Sequence, residues 1–296
     1  MAYRTVFRPQ LFHGQAVIVT GGGSGIGRCT AHELAALGAG VALIGRDAQK
    51  LEAVCAEIRE AGGIASAHAC DIRDEDAVKA TVAAVLQAHG RIDGLVNNAG
   101  GQFPSPLRDI PLKGWDAVVR TNLTGGFLMA RECLAQWMQE HGGAIVNITA
   151  DNWGSMPGMG HSGAARAGMV SFTETAAFEW AAYGVRVNAV APGYVASSGM
   201  DKYPPALAPL LRSAIDGVPL KRMATEAEVS AAIVFLLSEA ASFITGTVLR
   251  VDGGRPQMRA GWPQWGKPEG EAPAAVRPFQ AFPLARMPKI LQSDEE

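Results

Sequence analysis

Seven short apolar runs are spaced along the chain: Ala16–Val19, Gly40–Ile44, Ile64–Ala69, Gly94–Asn97, Ala144–Ile148, Val185–Val190 and Thr247–Val251. Each is apolar through most of its length rather than alternating, the pattern of strands covered on both faces. Longer segments of helical periodicity separate them. One follows a glycine-rich turn and runs through Ala35; others cover Ala48–Glu60, Glu75–Ala88 and Leu123–Met138, and another starts near His161. This repetition predicts an α/β fold, doubly wound, with a mostly parallel sheet and helices on both faces.

No break appears between Leu11 and Gly254, so residues 1–254 read as a single domain. The stretch 197–222 interrupts the alternation with Pro204, Pro205, Pro209 and Pro219 around a short helical pattern, and reads as a lid. Residues 255–296 are rich in proline and carry Trp262, Trp265, Phe279 and Phe282, with a linker-like polar stretch at 263–274. The aromatics predict an arm packed on its own domain or on a neighbouring subunit; the alternative is a disordered tail.

Composition narrows the class. The 296 residues are 48% hydrophobic and 18% charged, enough for a large core. The net charge is −2, with Lys and Arg scattered, which argues against nucleic acid or an anionic membrane as partner. No apolar run approaches the roughly 20 residues of a membrane helix. Met1–Gln10 carries Arg4 and Arg8 but no apolar signal core. Cys29, Cys55, Cys70 and Cys133 lack metal-ligand spacing, so no metal is expected, and they read as reduced packing residues of a cytoplasmic protein.

The chemistry begins at Thr20-Gly21-Gly22-Gly23-Ser24-Gly25-Ile26-Gly27, which follows a strand and opens a helix. Gly21 permits a tight turn, Gly25 lets backbone approach a pyrophosphate, and Gly27 allows close helix–strand packing. The phosphates would sit on the helix N-terminus. After the second strand, Gly45 leaves empty the place of an acid that would bind the ribose of NAD. Arg46 follows and suits a 2′-phosphate. NADP(H) is therefore the preferred cofactor, with NAD(H) as the alternative. Asp71 is placed to accept from an adenine amino group, and Asn97-Asn98-Ala99-Gly100 ends the fourth strand at the ligand-binding edge.

Together with Asn122, Pro192-Gly193 and Val251-Asp252-Gly253-Gly254, these residues resemble the short-chain dehydrogenase/reductase family from about Phe12 to Gly254. The resemblance implies a Rossmann-type sheet of seven strands, a nicotinamide cofactor and a homo-oligomer, tetramer or dimer. It also implies that Pro192, Gly193 and Ser197 line the nicotinamide side. The family's catalytic set is Asn, Ser, Tyr and Lys. Asn122 matches; the serine position falls on Ala150 beside Thr149, the tyrosine position on Ser162 and the lysine position on Arg166. A narrower resemblance rests on Gly101-Gln102-Phe103, Lys113-Gly114-Trp115, Glu140-His141-Gly142-Gly143 and His161–Gly168. These are similar to the peroxisomal trans-2-enoyl-CoA reductases, and dienoyl-CoA reductases share the missing tyrosine and a histidine like His161. Phe7–Phe12, Ser197–Asp201 and the long tail resemble bacterial citronellol/citronellal dehydrogenases of terpene breakdown.

Reducing an aldehyde or ketone requires an acid for the nascent alkoxide. A serine hydroxyl is far too weak an acid, and arginine cannot relay a proton as lysine can. Reducing the double bond of an enoyl-CoA instead collects charge on the thioester oxygen, where donors count most; losing one typically costs about 3 kcal/mol. Ser162 and Arg166 are four apart on one helix face. Arg166 would hold ribose hydroxyls and add positive charge, and Ser162 and Asn122 would donate or hold a water. Gln102 and Phe103 are expected to line the substrate pocket. Asp151, Asn152 and His161 are polar candidates for protonation, and Tyr203 in the lid would approach on closure.

Three readings follow. The first is an NADPH-dependent reductase of a 2-enoyl-CoA, fatty or terpenoid. The second is an NAD(P)-dependent dehydrogenase of citronellol-type alcohols and aldehydes. The third is a catalytically impaired binder of NADP(H). For the first two the partner is a small molecule, an acyl-CoA or a terpenoid.

Overall fold

The computed structural model describes residues 3–258 and 276–292. Its centre is a seven-stranded sheet in the order β3-β2-β1-β4-β5-β6-β7, every neighbouring pair parallel. The strands are β1 (Ala16–Thr20), β2 (Gly40–Gly45), β3 (Ile64–Ala69), β4 (Gly94–Asn97), β5 (Gly143–Ile148), β6 (Val185–Pro192) and β7 (Val248–Val251). The order reverses between β1 and β4, so the carboxyl ends of those two strands flank the crevice where open α/β sheets hold ligands.

Helices α1 (Gly25–Ala36), α2 (Ala48–Glu60) and α3 (Glu75–His89) are the crossovers of the first half. Asp47 and Asp74 cap α2 and α3 by accepting from the backbone N–H of Lys50 and Ala77, which satisfies donors that a helix start leaves open. In the second half the expected helix over Leu123–Met138 begins earlier. A continuous helical run starts with α4 (Leu112–Val119) and proceeds through a π-turn at Arg120–Thr124, α5 (Gly125–Cys133), a second π-turn at Leu134–Met138 and α6 (Gln139–His141). The π-turns advance the backbone out of the regular 3.6-residue phase, which breaks the apolar periodicity of the segment. Helix α7 (Gly160–Glu179) follows β5, α8 (Ala208–Ser213) lies in the stretch 197–222, and α9 (Glu226–Leu237) precedes β7.

The core has one cluster on each face of the sheet. Val17, Val19, Leu34, Val41, Val146 and Ile233 belong to one, and Ile18, Ile44, Val82, Leu95, Met129 and Ile145 to the other. Alternate residues of β1 thus enter opposite clusters, as the period of a strand requires. All four cysteines are buried and free.

Trp262, Trp265 and the stretch 263–274 lie outside the described residues. The described part of the arm packs on its own chain. Phe282 is buried against Tyr3 and His32, with the Arg28 guanidinium 5.4 Å from its ring centroid. Thr225 donates to Phe279 O and Arg222 to Val276 O. Further on, Ile290 N donates to Asp201 Oδ1, and Arg212 donates to Gln292 O, so the described arm reaches the 197–222 stretch. Among the described residues, no helix is long and apolar enough to cross a membrane, and no His, Cys, Asp and Glu cluster could hold a metal ion.

Candidate active site

The glycine loop sits at the β1 end of the crevice. Gly21 and Gly25 have φ of +66° and +58°, conformations that a side chain strains. A Cβ on Gly27 would lie 2.5 Å from Asn98 Nδ2, so only glycine lets α1 approach β4 this closely. Asn98 Nδ2 donates to Thr20 O at 3.0 Å and locks the two strand ends together. Gly23 packs its backbone over Lys50, where a Cβ would come within 3.2 Å of the lysine side chain. Ser24 is the N-cap of α1, but its hydroxyl makes no capping bond. The first turn of α1, with Ile26, therefore keeps N–H groups open to an anion, and the loop fits a dinucleotide pyrophosphate.

At the end of β2, Arg46 is exposed and makes no hydrogen bond among the described residues. Asp47 beside it is engaged in capping α2. Asp71 accepts from Arg73 at both carboxylate oxygens, Nε to Oδ1 at 2.8 Å and Nη2 to Oδ2 at 2.5 Å. That pairing holds the Asp71 carboxyl down to about 2.

Across the crevice, β6 ends in Pro192. Gly193 donates to Val251 O at 2.9 Å, and a Cβ there would lie 2.9 Å from Asp252 Cα. Ser197 opens the 197–222 stretch, its carbonyl accepting from Met200 N at 3.0 Å. Its hydroxyl faces Gly25, 4.0 Å from where a Cβ would stand.

Asn122, Gly100 and Arg166 converge. A Cβ on Gly100 would lie 2.5 Å from Arg166 Nη2 and 3.0 Å from Asn122 Oδ1. The Asn122 amide, carried on the first π-turn, accepts from Gly101 N at 2.8 Å and donates to Gly101 O at 2.9 Å. Arg166 donates Nη1 to Ile148 O, and its Nε is buried without a partner. No carboxylate among the described residues pairs with it, and burial pulls its guanidinium down to about 10.

Ser162 is fully buried and donates Oγ to Gln102 Oε1 at 2.7 Å. Gln102 Nε2 in turn donates to Tyr203 Oη at 2.8 Å. His161, also fully buried, accepts at Nδ1 from Ser162 N and meets the edge of the Phe103 ring at 4.4 Å between centroids. Its Nε2 has no partner. The expected serine position offers no free hydroxyl: Ala150 has none, and Thr149 Oγ1 donates to Val190 O at 3.2 Å. On a different face of α7 from Ser162 and Arg166, a groove of about 440 Å³ runs between Leu107, Met156, Pro157, Gly163 and Ala167.

Two polar groups near the crevice were not singled out in the sequence. Arg255 donates to Asp151 Oδ2 at 2.6 Å. Glu226, at the start of α9, has its Oε1 3.8 Å from where a Cβ on Gly25 would stand, and burial pushes its carboxyl up to about 7. Neither carries a local motif.

Residues 21–255 match the model of the family described as enoyl-(acyl carrier protein) reductase. The chain is a short-chain dehydrogenase/reductase. It is 38% identical over 245 residues to a probable 2,4-dienoyl-CoA reductase of Bacillus subtilis, covering 81% of this chain and 96% of that one. A solved citronellol catabolism dehydrogenase of Pseudomonas aeruginosa PAO1 is 59% identical at a TM-score of 0.78, covering 86% of this chain and 99% of that one. A putative NAD(P)-dependent gluconate 5-dehydrogenase of Beutenbergia cavernae, solved with bound NADP, is 34% identical at a TM-score of 0.78, covering 85% and 100%. As a family member the chain is an oxidoreductase that uses a nicotinamide dinucleotide.

Proposed function

We propose that the protein reduces the C=C bond of a 2-enoyl thioester, of a fatty or branched terpenoid acyl group carried on CoA, with NADPH. The observation that carries this reading is Arg166. A guanidinium buried without a carboxylate costs several kcal/mol, and such a charge is retained where a ligand or transition state supplies the negative partner. It stands with Asn122 at Gly100, three residues past the end of β4. An enolate oxygen developing there would meet a fixed positive field, the largest single source of rate in many enzymes. The helix positions that carry the family's tyrosine–lysine pair hold Ser162 and Arg166, so the family's usual route to protonating an alkoxide is missing.

The dinucleotide, when bound, supplies the hydride. The chain's residues hold and orient: Gly21 to Gly27 receive the pyrophosphate, Arg46 the 2′-phosphate, and Pro192, Gly193 and Ser197 border the nicotinamide. Arg166 stabilises charge on the thioester oxygen.

A second reading, an alcohol or aldehyde dehydrogenase acting on citronellol-type substrates, is favoured by the 59% identity to the Pseudomonas aeruginosa protein. The deciding experiment follows NADPH absorbance with the purified protein on crotonyl- to decenoyl-CoA and, in parallel, on citronellal. Consumption with the thioesters alone is the expected result. Consumption with citronellal alone would replace the first reading with the second. Tight NADPH binding without turnover on either would mark a binder that has lost catalysis.

A further inference from the structure

Ser162, Gln102 and Tyr203 form one hydrogen-bonded chain from α7 to the lid. The Ser162 hydroxyl has a single hydrogen, and it is used on Gln102 Oε1 at 2.7 Å. The Gln102 amide donates to Tyr203 Oη at 2.8 Å, so the phenol is the acceptor in that contact. Its own hydrogen has no acceptor among the described residues. The residue standing in the family's tyrosine position thus has no proton to offer the substrate, whereas the lid tyrosine on the far side of the same carboxamide does.

We infer that Tyr203 hands the substrate its proton, with Gln102 as the residue that positions it and Ser162 as the anchor of Gln102. The inference rests on the enoyl-thioester reading above. Hydride from the reduced nicotinamide dinucleotide forms the Cβ–H bond, and the alkene π pair moves onto Cα and the thioester oxygen. The Tyr203 O–H bond then breaks. Its hydrogen forms the Cα–H bond, its electron pair stays on the phenolic oxygen, and water restores the phenol. The products are the saturated thioester and the oxidised dinucleotide.

Tyr203→Phe and Gln102→Glu test this. Tyr203→Phe should lower kcat on decenoyl-CoA by about 100- to 1,000-fold, the usual contribution of a positioned acid, with KM and NADPH affinity by fluorescence titration unchanged. Gln102→Glu keeps the acceptor for Ser162 but replaces the donor to Tyr203 with a second acceptor, which takes up the phenol hydrogen. It should lose kcat similarly. In the apo-protein, the tyrosinate absorbance step assigned to Tyr203, by difference against Tyr203→Phe, should move to higher pH in Gln102→Glu. A merely structural glutamine would leave that step in place. Full kcat in Tyr203→Phe on an enoyl thioester would overturn the inference and leave the reaction standing. Wild-type turnover of citronellal but of no enoyl thioester would instead overturn the reaction. The same Tyr203→Phe comparison on citronellal would then decide the donor: a matching loss supports Tyr203, and full activity removes it.

Discussion

Arg255, just past β7, reaches across the sheet end to donate Nη1 to Asp151 Oδ2, just past β5, at 2.6 Å. The Asp151 side chain is only 6% exposed and Arg255 is 39% exposed. Asp151 had been expected among the candidates for protonating substrate. Its outer oxygen is occupied by a guanidinium, and that guanidinium also lies 5.0 Å over the Tyr194 ring. Arg255→Ala should destabilise the protein by about 1–3 kcal/mol, below the figure for a fully buried pair because Arg255 is partly solvated. Chemical denaturation of the single variants and of the double variant with Asp151→Asn would measure this. Equal and additive effects would mean the contact carries no coupling.

Arg166 should trade stability for function. Arg166→Met removes a buried charge that no carboxylate balances, at the cost of one donor to Ile148 O. The thermal midpoint should hold or rise, by about 2–4 °C for each kcal/mol gained in a chain of this size. Turnover should fall by about 100-fold or more, as for other lost charge-stabilising donors. A variant that melts several degrees lower would show that the guanidinium is a structural support.

Glu226 gives a pH dependence with a definite sign. Its carboxyl titrates near 4.5 when unfolded and is pushed up to about 7 in the fold by burial, with the charge of Arg28 and a backbone N–H of Ser198 opposing. The native state holds this proton more tightly. The stability it contributes is therefore complete below pH 4.5 and is lost as pH rises through 7. Glu226→Gln should remove that slope and leave the variant more stable than wild type above pH 7, by up to about 2–3 kcal/mol. Melting curves of both proteins across this range would show it; parallel curves would place the carboxyl at an ordinary value. Because Glu226 borders Gly25, the same substitution should tighten NADPH at alkaline pH.

Arg46→Ala tests the cofactor reading. A charge-assisted bond to a 2′-phosphate is worth about 1.5–3 kcal/mol, so the NADPH dissociation constant should rise about tenfold or more while that for NADH stays put. Equal weakening of both, or of neither, would exclude Arg46 from recognising the phosphate.

The strands were legible because most of them are apolar along nearly their whole length. Ile64–Ala69 and Gly94–Asn97 fall where the pattern put them, and the others differ by one or two residues at an end. The start of the helix at Leu112 was not legible, since the π-turn at Arg120–Thr124 disrupts the phase on which such a reading depends. The glycine loop could be read because its function demands particular backbone shapes at Gly21, Gly25 and Gly27. The partners of Asp151 and Tyr203 could not. Arg255 and Gln102 lie about a hundred positions away from them in the chain, and only the folded sheet brings such residues together. Glu226 was equally hidden, because its environment is made by Gly25 and the start of the lid rather than by its own neighbours in sequence.

The described part of the arm lies over α1 and α9 and reaches Asp201 and Arg212, which changes what any motion of the 197–222 stretch entails. In a lid hinged only at its own ends, the motion concerns the few residues that swing. Here a displacement of Asp201 or Arg212 must either break its bond to the arm or carry the arm with it, and the arm is nailed at Phe282 beside the first helix of the cofactor half. Motion of the 197–222 stretch is thereby geared to a surface beside α1. Mutational drift around Phe282, Tyr3 or His32 would be felt as a change in how fast ligands come and go.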